Sequence, residues 1–407
     1  MTSGEGTTGV PTLDQLELEG RRVLVRVDFN VPLDGEGRIT DDTRIRAALP
    51  TLRAVLERGG RPVLLCHLGR PRGEPVESLR LDPVARRLGE LLGTPVQKLD
   101  GCVGEEVARA VQEAPAGVTV LLENVRFEPG ETRGDEALAK AYAALGDVFV
   151  NDAFGASHRD HASVSGIARL LPSAAGLLLE RELEAFARVL RDPARPLLAV
   201  LGGAKVSDKL PVIRHLVGRV DALLVGGGMA YTFLAAQGHA VGTSLLEPDL
   251  VPLCAQTLAQ AKGGAGADLV LPTDHVLAQS LETGSPTRES GIDIPEGWMG
   301  LDIGPRTSER FAARIRDAAT VVWNGPMGVF EDPRFRAGTE AVGRALGEAH
   351  AYTVVGGGDS VAAIHLLGLE RSVSHISTGG GASLELLQGR VLPGIAALGR
   401  PQQSSQR

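Results

Sequence analysis

Two groups of side chains in this sequence have the types and spacing to hold and move a phosphoryl group. The first is basic: Asp28 and Asn30 in VDFNVP, Arg44 in DDTRI, His67 and Arg70 in HLGRP, Arg126 in ENVRF, and His158 and Arg159 in FGASHRDH. A guanidinium is a planar fork that grips carboxylate or phosphate through two hydrogen bonds. Arginines recurring with Asp, Asn and His among them suit a small, multiply anionic ligand. The second group is glycine-rich: GGAK (202–205), GGGM (226–229), GGGDS (356–360) and TGGGAS (378–383). Glycine lets a backbone approach closely and turn successive N–H groups toward an oxyanion, and a following helix N-terminus adds a favourable dipole. Four such loops point to a phosphate-bearing ligand, a nucleotide. Asp359 in GGGDS is a candidate partner for Mg²⁺, and Glu331 after WNGPMGVF a candidate acceptor for ribose hydroxyls.

Lysine sharpens the second group. Lys98, Lys140, Lys205, Lys209 and Lys262 are the only lysines, and two of them fall within LGGAKVSDK. This is not a P-loop, because no lysine follows a glycine. With Ser207 as N-cap of the helix SDKLPVIRHLVG, Pro211 sits in the first turn, Lys205 in the loop and Lys209 in that turn. Two cations at a helix N-terminus are disfavoured by the dipole and by each other, by a few tenths of a kcal/mol each. A bound polyphosphate reverses the sign of that cost.

The elements that must position these groups are strands. Apolar, β-branched runs occur at 21–29, 62–68, 118–125 and 146–153, and again at 196–203, 222–228, 268–274, 319–326, 352–359 and 373–381. Amphipathic stretches such as 43–58 and 84–92 lie between them. Strands apolar throughout and separated by helices imply parallel sheets covered on both faces, which bind ligands beyond their carboxyl ends. The chemistry-bearing residues all follow strand runs. The charged stretch LLLERELEAFARVLRDPARP connects the two halves. The expected architecture is α/β: two Rossmann-like domains, each a parallel sheet flanked by helices, joined by a hinge helix. The boundaries are 1–178, 179–195 for the helix, 196–390, and a tail 391–407 ending in the polar, loosely ordered PQQSSQR.

Composition agrees. A 407-residue chain that is 43% hydrophobic, with 52 glycines and no short repeat, suits a two-domain soluble protein rich in tight loops. A net charge of −8 argues against general nucleic-acid binding. Three scattered cysteines (Cys66, Cys102 and Cys254) give neither a disulfide framework nor a zinc site and fit a reducing, cytoplasmic setting. The N-terminus has no signal-peptide pattern, and no apolar run is long enough to span a membrane.

The motifs RVDFNVP, DDTRI, HLGRP, LLENVRF, DAFGASHRDHAS, LGGAKVSDK, WMGLDIGP, VWNGPMGVFE, GGGDS and STGGGASLE, in this order over residues 23–385, resemble the phosphoglycerate kinase family. That resemblance implies reversible phosphoryl transfer between 1,3-bisphosphoglycerate with ADP and 3-phosphoglycerate with ATP, with Mg²⁺, by a monomer whose domains close on a hinge. It places Asp28, Phe29, Asn30, Arg44, His67, Leu68, Gly69, Arg70, Arg126, His158 and Arg159 at the triose-acid site. Gly203, Lys205, Lys209, Gly227, Gly300, Asn324, Pro326, Glu331, Gly357, Gly358, Asp359 and Ser360 fall at the nucleotide site, with Asp359 on the metal. Arg44, Lys205 and the backbone of Gly380 and Gly381 become catalytic, flanking the phosphoryl in flight. Three departures stand out. Ala156 and Ser157 replace a frequent Thr-Ala pair and Asp160 puts a carboxylate beside Arg159, changes expected to soften substrate affinity, and Ser360 stands where threonine is common.

Two other readings compete. A dinucleotide-dependent dehydrogenase needs GxGxxG directly after a strand with an acidic residue about 20 positions on, and that combination does not occur. A two-domain binding protein for an anionic metabolite accounts for the arginines but not for four glycine loops and two loop lysines.

Overall fold

The first-half apolar runs become the middle of one parallel sheet. In the computed structural model, which describes residues 9–263 and 266–399, β1 (Arg22–Arg26), β2 (Arg61–Leu65), β3 (Val96–Lys98), β4 (Thr119–Leu121), β5 (Val148–Asn151) and β6 (Ser173–Ala175) lie in the order β3-β4-β2-β1-β5-β6. Every neighbouring pair is parallel. Successive side chains enter opposite cores. Val23, Val25, Leu64 and Val150 pack with Ile45 and Leu52 of helix Thr43–Glu57 and with Val84 and Leu88 of helix Asp82–Leu92. Leu24, Val63, Leu65, Val120 and Phe149 face the other way, onto Val107 and Val111 of helix Glu105–Glu113 and Tyr142 of helix Glu136–Ala143. Burial on both faces is why these strands are apolar without alternation.

The second half repeats the plan. β7 (Leu197–Leu201), β8 (Ala222–Val225) and β9 (Asp268–Val270) are followed by a small antiparallel sheet of β10 (His275–Ala278), β11 (Thr287–Ser290) and β12 (Met299–Ile303). Then β13 (Thr320–Asn324), β14 (Tyr352–Gly356) and β15 (His375–Ile376) complete a six-stranded sheet, ordered β15-β14-β13-β7-β8-β9 and parallel throughout. Its core includes Leu198, Val200, Leu224, Val321 and Trp323 with Phe311, Ile315, Val342, Leu346 and Ile364 from flanking helices. All ten expected strand runs contain a strand. β3, β6 and β10–β12 have no counterpart among them. VQK and SAA are too short and too polar or small to read as strands, and β11, TRES, is largely exposed.

The chain divides into two compact units, one of residues to Glu184 plus those from Val391, the other Ala185–Arg390. The connecting helix is Leu177–Leu190, starting two residues earlier than expected and ending before Pro193. Its first turn is held by a carboxylate at the end of β5: Asp152 Oδ1 accepts from the Leu178 N–H at 2.9 Å. The tail is not free as far as it is described. Gly394 receives a hydrogen bond from Asn151 Nδ2 at its carbonyl (3.0 Å) and donates its own N–H to Ser157 (2.9 Å), and Ala397 and Leu398 pack on the first unit's core. PQQSSQR lies outside the described residues. So do residues 1–8, but Pro11 accepts from the Ala175 N–H at the edge of the first sheet. No described helix is long and apolar enough to cross a membrane.

Candidate active site

In the first unit the expected residues converge at the carboxyl ends of four adjacent strands. Asp28 and Asn30 follow β1, His67 and Arg70 follow β2, Arg126 follows β4, and His158 and Arg159 follow β5. Arg44 is in the first turn of helix Thr43–Glu57 and donates from Nη1 to Asp28 Oδ2 at 3.0 Å. Asn30 Oδ1 accepts from the Gly69 N–H (2.8 Å) and Arg126 Nη1 donates to the Gly69 carbonyl (2.5 Å). Leu68 is buried and tied by its backbone to Asn124, and Phe29 is wholly buried core, not an exposed contact. Arg159 Nε donates to His158 Nε2 at 3.2 Å.

Arg26 is not among the expected residues, yet it underlies the cluster. It is 1% exposed at the end of β1 and donates to Ser163 Oγ (2.9 Å), to the Val27 carbonyl and to His67 Nδ1 (3.1 Å). Its only signal in the sequence is an arginine inside an otherwise apolar strand. Because Nδ1 accepts, the His67 proton sits on Nε2. Burial first, then the neighbouring Arg26, Arg126, Arg159 and Arg44, hold His67 well below its usual 6.5, so it is a neutral donor. Burial, followed by repulsion from Arg159 and Arg26, brings Arg126 down to about 10, and burial followed by Arg70 lowers Arg159. Arg126 Nε is buried with no partner among the described residues. Positive charge crowded and desolvated in this way is stabilised by an arriving anion. Asp160 turns away from the cluster: it accepts from Ser165 Oγ and pairs with Arg169 Nη2 at 2.8 Å. Its charge is paired there, with Arg169 rather than with its sequence neighbour Arg159. Ser157 is buried and bonded to Asn151 and to the Ala153 carbonyl, a structural role.

In the second unit Gly203, Lys205, Lys209, Asn324, Gly357, Gly358, Asp359, Ser360, Gly380 and Gly381 line one cavity of about 600 Å³ at the carboxyl ends of β7, β13, β14 and β15. Those four strands are neighbours in the sheet. The helix after GGA is Val206–Leu216, with Lys205 at the N-cap position and the Ser207 N–H donating to Glu247 Oε2 at 2.9 Å; Ser207 lies inside it and Pro211 in its second turn, one turn later than expected. Val206 is buried in the core, which draws the helix start two residues toward the strand. Lys209 donates from Nζ to Asn324 Oδ1, while Asn324 Nδ2 is buried without a partner. Burial pulls Lys209 down to about 8, against the pull of the Asp359 and Asp208 carboxylates. Asp359 is exposed in the first turn of helix Gly358–Leu367, whose N-cap is Gly357, so the aspartate is not the cap. Ser360 is turned inward and accepts from the Gly325 N–H at 2.5 Å.

The glycines divide by role. A Cβ on Gly202 would lie 2.1 Å from the Pro326 carbonyl oxygen, and one on Gly325 2.2 Å from that of Gly202. Gly227, at φ +69°, would meet the Gly203 backbone at 2.6 Å. These positions let the loops after β7, β8 and β13 interlock, with Gly203 N–H on the Pro326 carbonyl at 2.9 Å. Gly358, by contrast, has open space where a Cβ would be. Gly227, Pro326, Gly300 and Glu331 do not line the cavity. Gly300 is pressed against the Tyr231 hydroxyl in β12, and Glu331 is exposed after β13.

The family profile described as phosphoglycerate kinase matches residues 13–390. The chain belongs to the phosphoglycerate kinase family. It is 55% identical to the phosphoglycerate kinase of Moorella thermoacetica over 388 residues, covering 95% of this chain and 98% of that one. With that of Rubrobacter xylanophilus it shares 59% over 384 residues, 94% and 96% of the two chains. The structure of phosphoglycerate kinase from Coxiella burnetii superposes with a TM-score of 0.86 at 40% identity, over 95% of this chain and 98% of that chain. As a phosphoglycerate kinase, the protein is a glycolytic phosphotransferase exchanging a phosphoryl group between 3-phosphoglycerate with ATP and 1,3-bisphosphoglycerate with ADP. The dehydrogenase and binding-protein readings fall with that assignment.

Proposed function

We propose that the triose acid binds to the arginine cluster of the first unit and the nucleotide to the glycine-lined cavity of the second. The observation that carries this assignment is the buried, self-repelling positive charge around Arg126, whose Nε has no partner among the described residues. Asn30, Arg44, His67, Arg70, Arg126, His158 and Arg159 hold the anionic groups of the acid, and Asp28, paired with Arg44, accepts from the acid's hydroxyl. Lys209 binds a nucleotide phosphate and Glu331 the ribose. Arg44, Lys205 and the N–H groups of Gly380 and Gly381 surround the phosphoryl in transit when the two units close on each other.

The acceptor is a carboxylate, ionised at neutral pH, so no general base is needed and none is placed at either site. Catalysis is then positioning and charge neutralisation, with little covalent work for the protein. Asp359 fits a magnesium ion of a particular kind. Among the described residues no group of three His, Cys, Asp or Glu could hold a metal, and Mg²⁺ is commonly held by one or two carboxylates, substrate phosphates and water. Bound there, it would supply neutralisation of phosphate charge. The enzyme works as a cytoplasmic monomer.

Coupled turnover of 3-phosphoglycerate and MgATP, followed through the reduction of the acyl phosphate formed, tests the assignment. Arg44→Ala and Lys205→Ala each lower kcat by about 10²-fold or more with unchanged circular dichroism. A near-normal kcat in either removes that residue from the reaction.

A further inference from the structure

Behind Arg126 lies a hydrogen-bonded brace that neither site includes. Asn124 is wholly buried and uses all of its amide. Oδ1 accepts from the N–H groups of Leu68 (3.3 Å) and Arg126 (3.1 Å), and Nδ2 donates to the carbonyls of Leu68 (2.8 Å) and Leu79 (3.0 Å). One side chain thus ties the loop after β2, the loop after β4 and the turn ending at Leu79. Arg126 closes the same ring, donating to the Gly69 carbonyl and accepting from the Gly73 N–H at 3.1 Å.

Glu123, 2% exposed, holds Asn124 in turn. Oε1 accepts from the N–H groups of Asn124 (2.9 Å) and Leu81 (3.1 Å), and Oε2 from Arg80 Nη1 (3.1 Å) and Lys98 Nζ (2.8 Å). Burying a carboxylate this deeply is costly unless it is paired and fully hydrogen-bonded, and here four donors saturate it. Lys98 accounts for one of the few lysines in an arginine-rich chain. Its ammonium meets three carboxylates, Asp100 at 2.8 Å, Glu123 at 2.8 Å and Asp82 at 3.2 Å. A compact cation with three divergent donors meets that demand; a planar guanidinium fork does not.

We infer that Glu123 and Asn124 are positioning residues for the triose acid, setting the Arg126 guanidinium and the 67–73 backbone, and that Lys98 keeps Glu123 aimed. This rests on the assignment of Arg126 to the triose-acid site. An amide or carboxylate that merely stabilised the fold would lower thermal stability and leave the Michaelis constants of the folded enzyme alone. A positioning role moves one constant selectively.

The test is steady-state kinetics on the full chain at a temperature where each variant is folded by circular dichroism, with Asn124→Ala, Glu123→Gln, Lys98→Met and Arg126→Ala. Expected is a KM for 3-phosphoglycerate raised about 10-fold or more in Asn124→Ala and Glu123→Gln and several-fold in Lys98→Met, with KM for ATP within about 2-fold of the parent. Lys98→Arg should not rescue. If Asn124→Ala or Glu123→Gln does not fold, Lys98→Met decides. An unchanged KM for 3-phosphoglycerate in the folded variants, beside a raised one in Arg126→Ala, overturns the inference while leaving the site assignment standing. An unchanged KM in Arg126→Ala overturns the assignment, and the inference with it.

Discussion

Nucleotide binding to this enzyme should draw a proton from solution onto Lys209. In the free protein the Lys209 ammonium sits in the glycine-lined cavity, with a neutral amide oxygen, Asn324 Oδ1, as its bonded partner. Burial lowers its pKa from 10.5 to about 8, with Asp359 and Asp208 recovering part of the loss. A shift of that size is worth about 3 kcal/mol of differential interaction between the two protonation states. At pH 8 about half of the molecules therefore hold Lys209 uncharged, and at pH 9 about nine in ten. A polyphosphate placed against the amine restores the ordinary preference for the charged form, so MgADP binding takes up about 0.5 proton at pH 8 and about 0.9 at pH 9. Phosphate groups are fully ionised at these pH values and do not mask the uptake. Titration calorimetry in buffers of different ionisation enthalpy reads the number directly as the slope of observed heat against buffer enthalpy. Lys209→Arg carries a group that stays protonated, and its slope should vanish. A zero slope in the parent at pH 8–9, or an equal slope in Lys209→Arg, refutes the reasoning.

Two further outcomes follow from the same physics. Burial lifts the Asp152 carboxyl from 3.8 to about 7; between those values the folded state holds a proton that the unfolded state has lost, so this group's contribution to stability falls as pH rises through the window. Asp152→Asn keeps the acceptor for the Leu178 N–H, and its Tm should gain on the parent's between pH 5 and pH 8; a constant difference would show that the carboxyl does not titrate there. The two kinds of glycine should separate under substitution: Gly202→Ala, whose methyl would overlap the Pro326 carbonyl, should destabilise by roughly 3 kcal/mol or more. Gly358→Ala, with open space around it, should change stability by less than about 0.5 kcal/mol and weaken ADP binding about 10-fold; a Gly202→Ala protein with parental Tm would contradict the packing account.

Local signals made the chemistry readable in advance. Apolar runs of the right length marked ten strands, because strands buried on both faces need no alternation. Arginines and glycines placed just after those runs fell at the sheet edge where parallel α/β folds bind ligands. Two lysines at a helix start stood out as an anomaly that a bound anion would relieve. Other features could not be read so. Asp160 beside Arg159 in sequence suggests a pair, but its side chain bonds Arg169 and Ser165. Ser207 has the chemistry of a cap, and the helix starts before it because Val206 enters the core.

By itself, then, the sequence determined the class of fold, the family and the kinds of ligand, since those follow from residue type and spacing within a few tens of residues. Tertiary structure decided which residues meet. The strand order β4-β2-β1-β5 brings Asp28 and Arg159 to one edge, and the order β15-β14-β13-β7 sets Lys209 beside Asn324 across 115 positions of chain. It also decided which glycines press on a neighbouring backbone and which face open space, because a backbone-to-backbone contact such as Gly202 on Gly325 exists only once two distant strands are neighbours. Glu123, Asn124 and Lys98 gain their meaning in the same way. Burial and the saturation of a polar group are properties of an environment, and no window of sequence contains one.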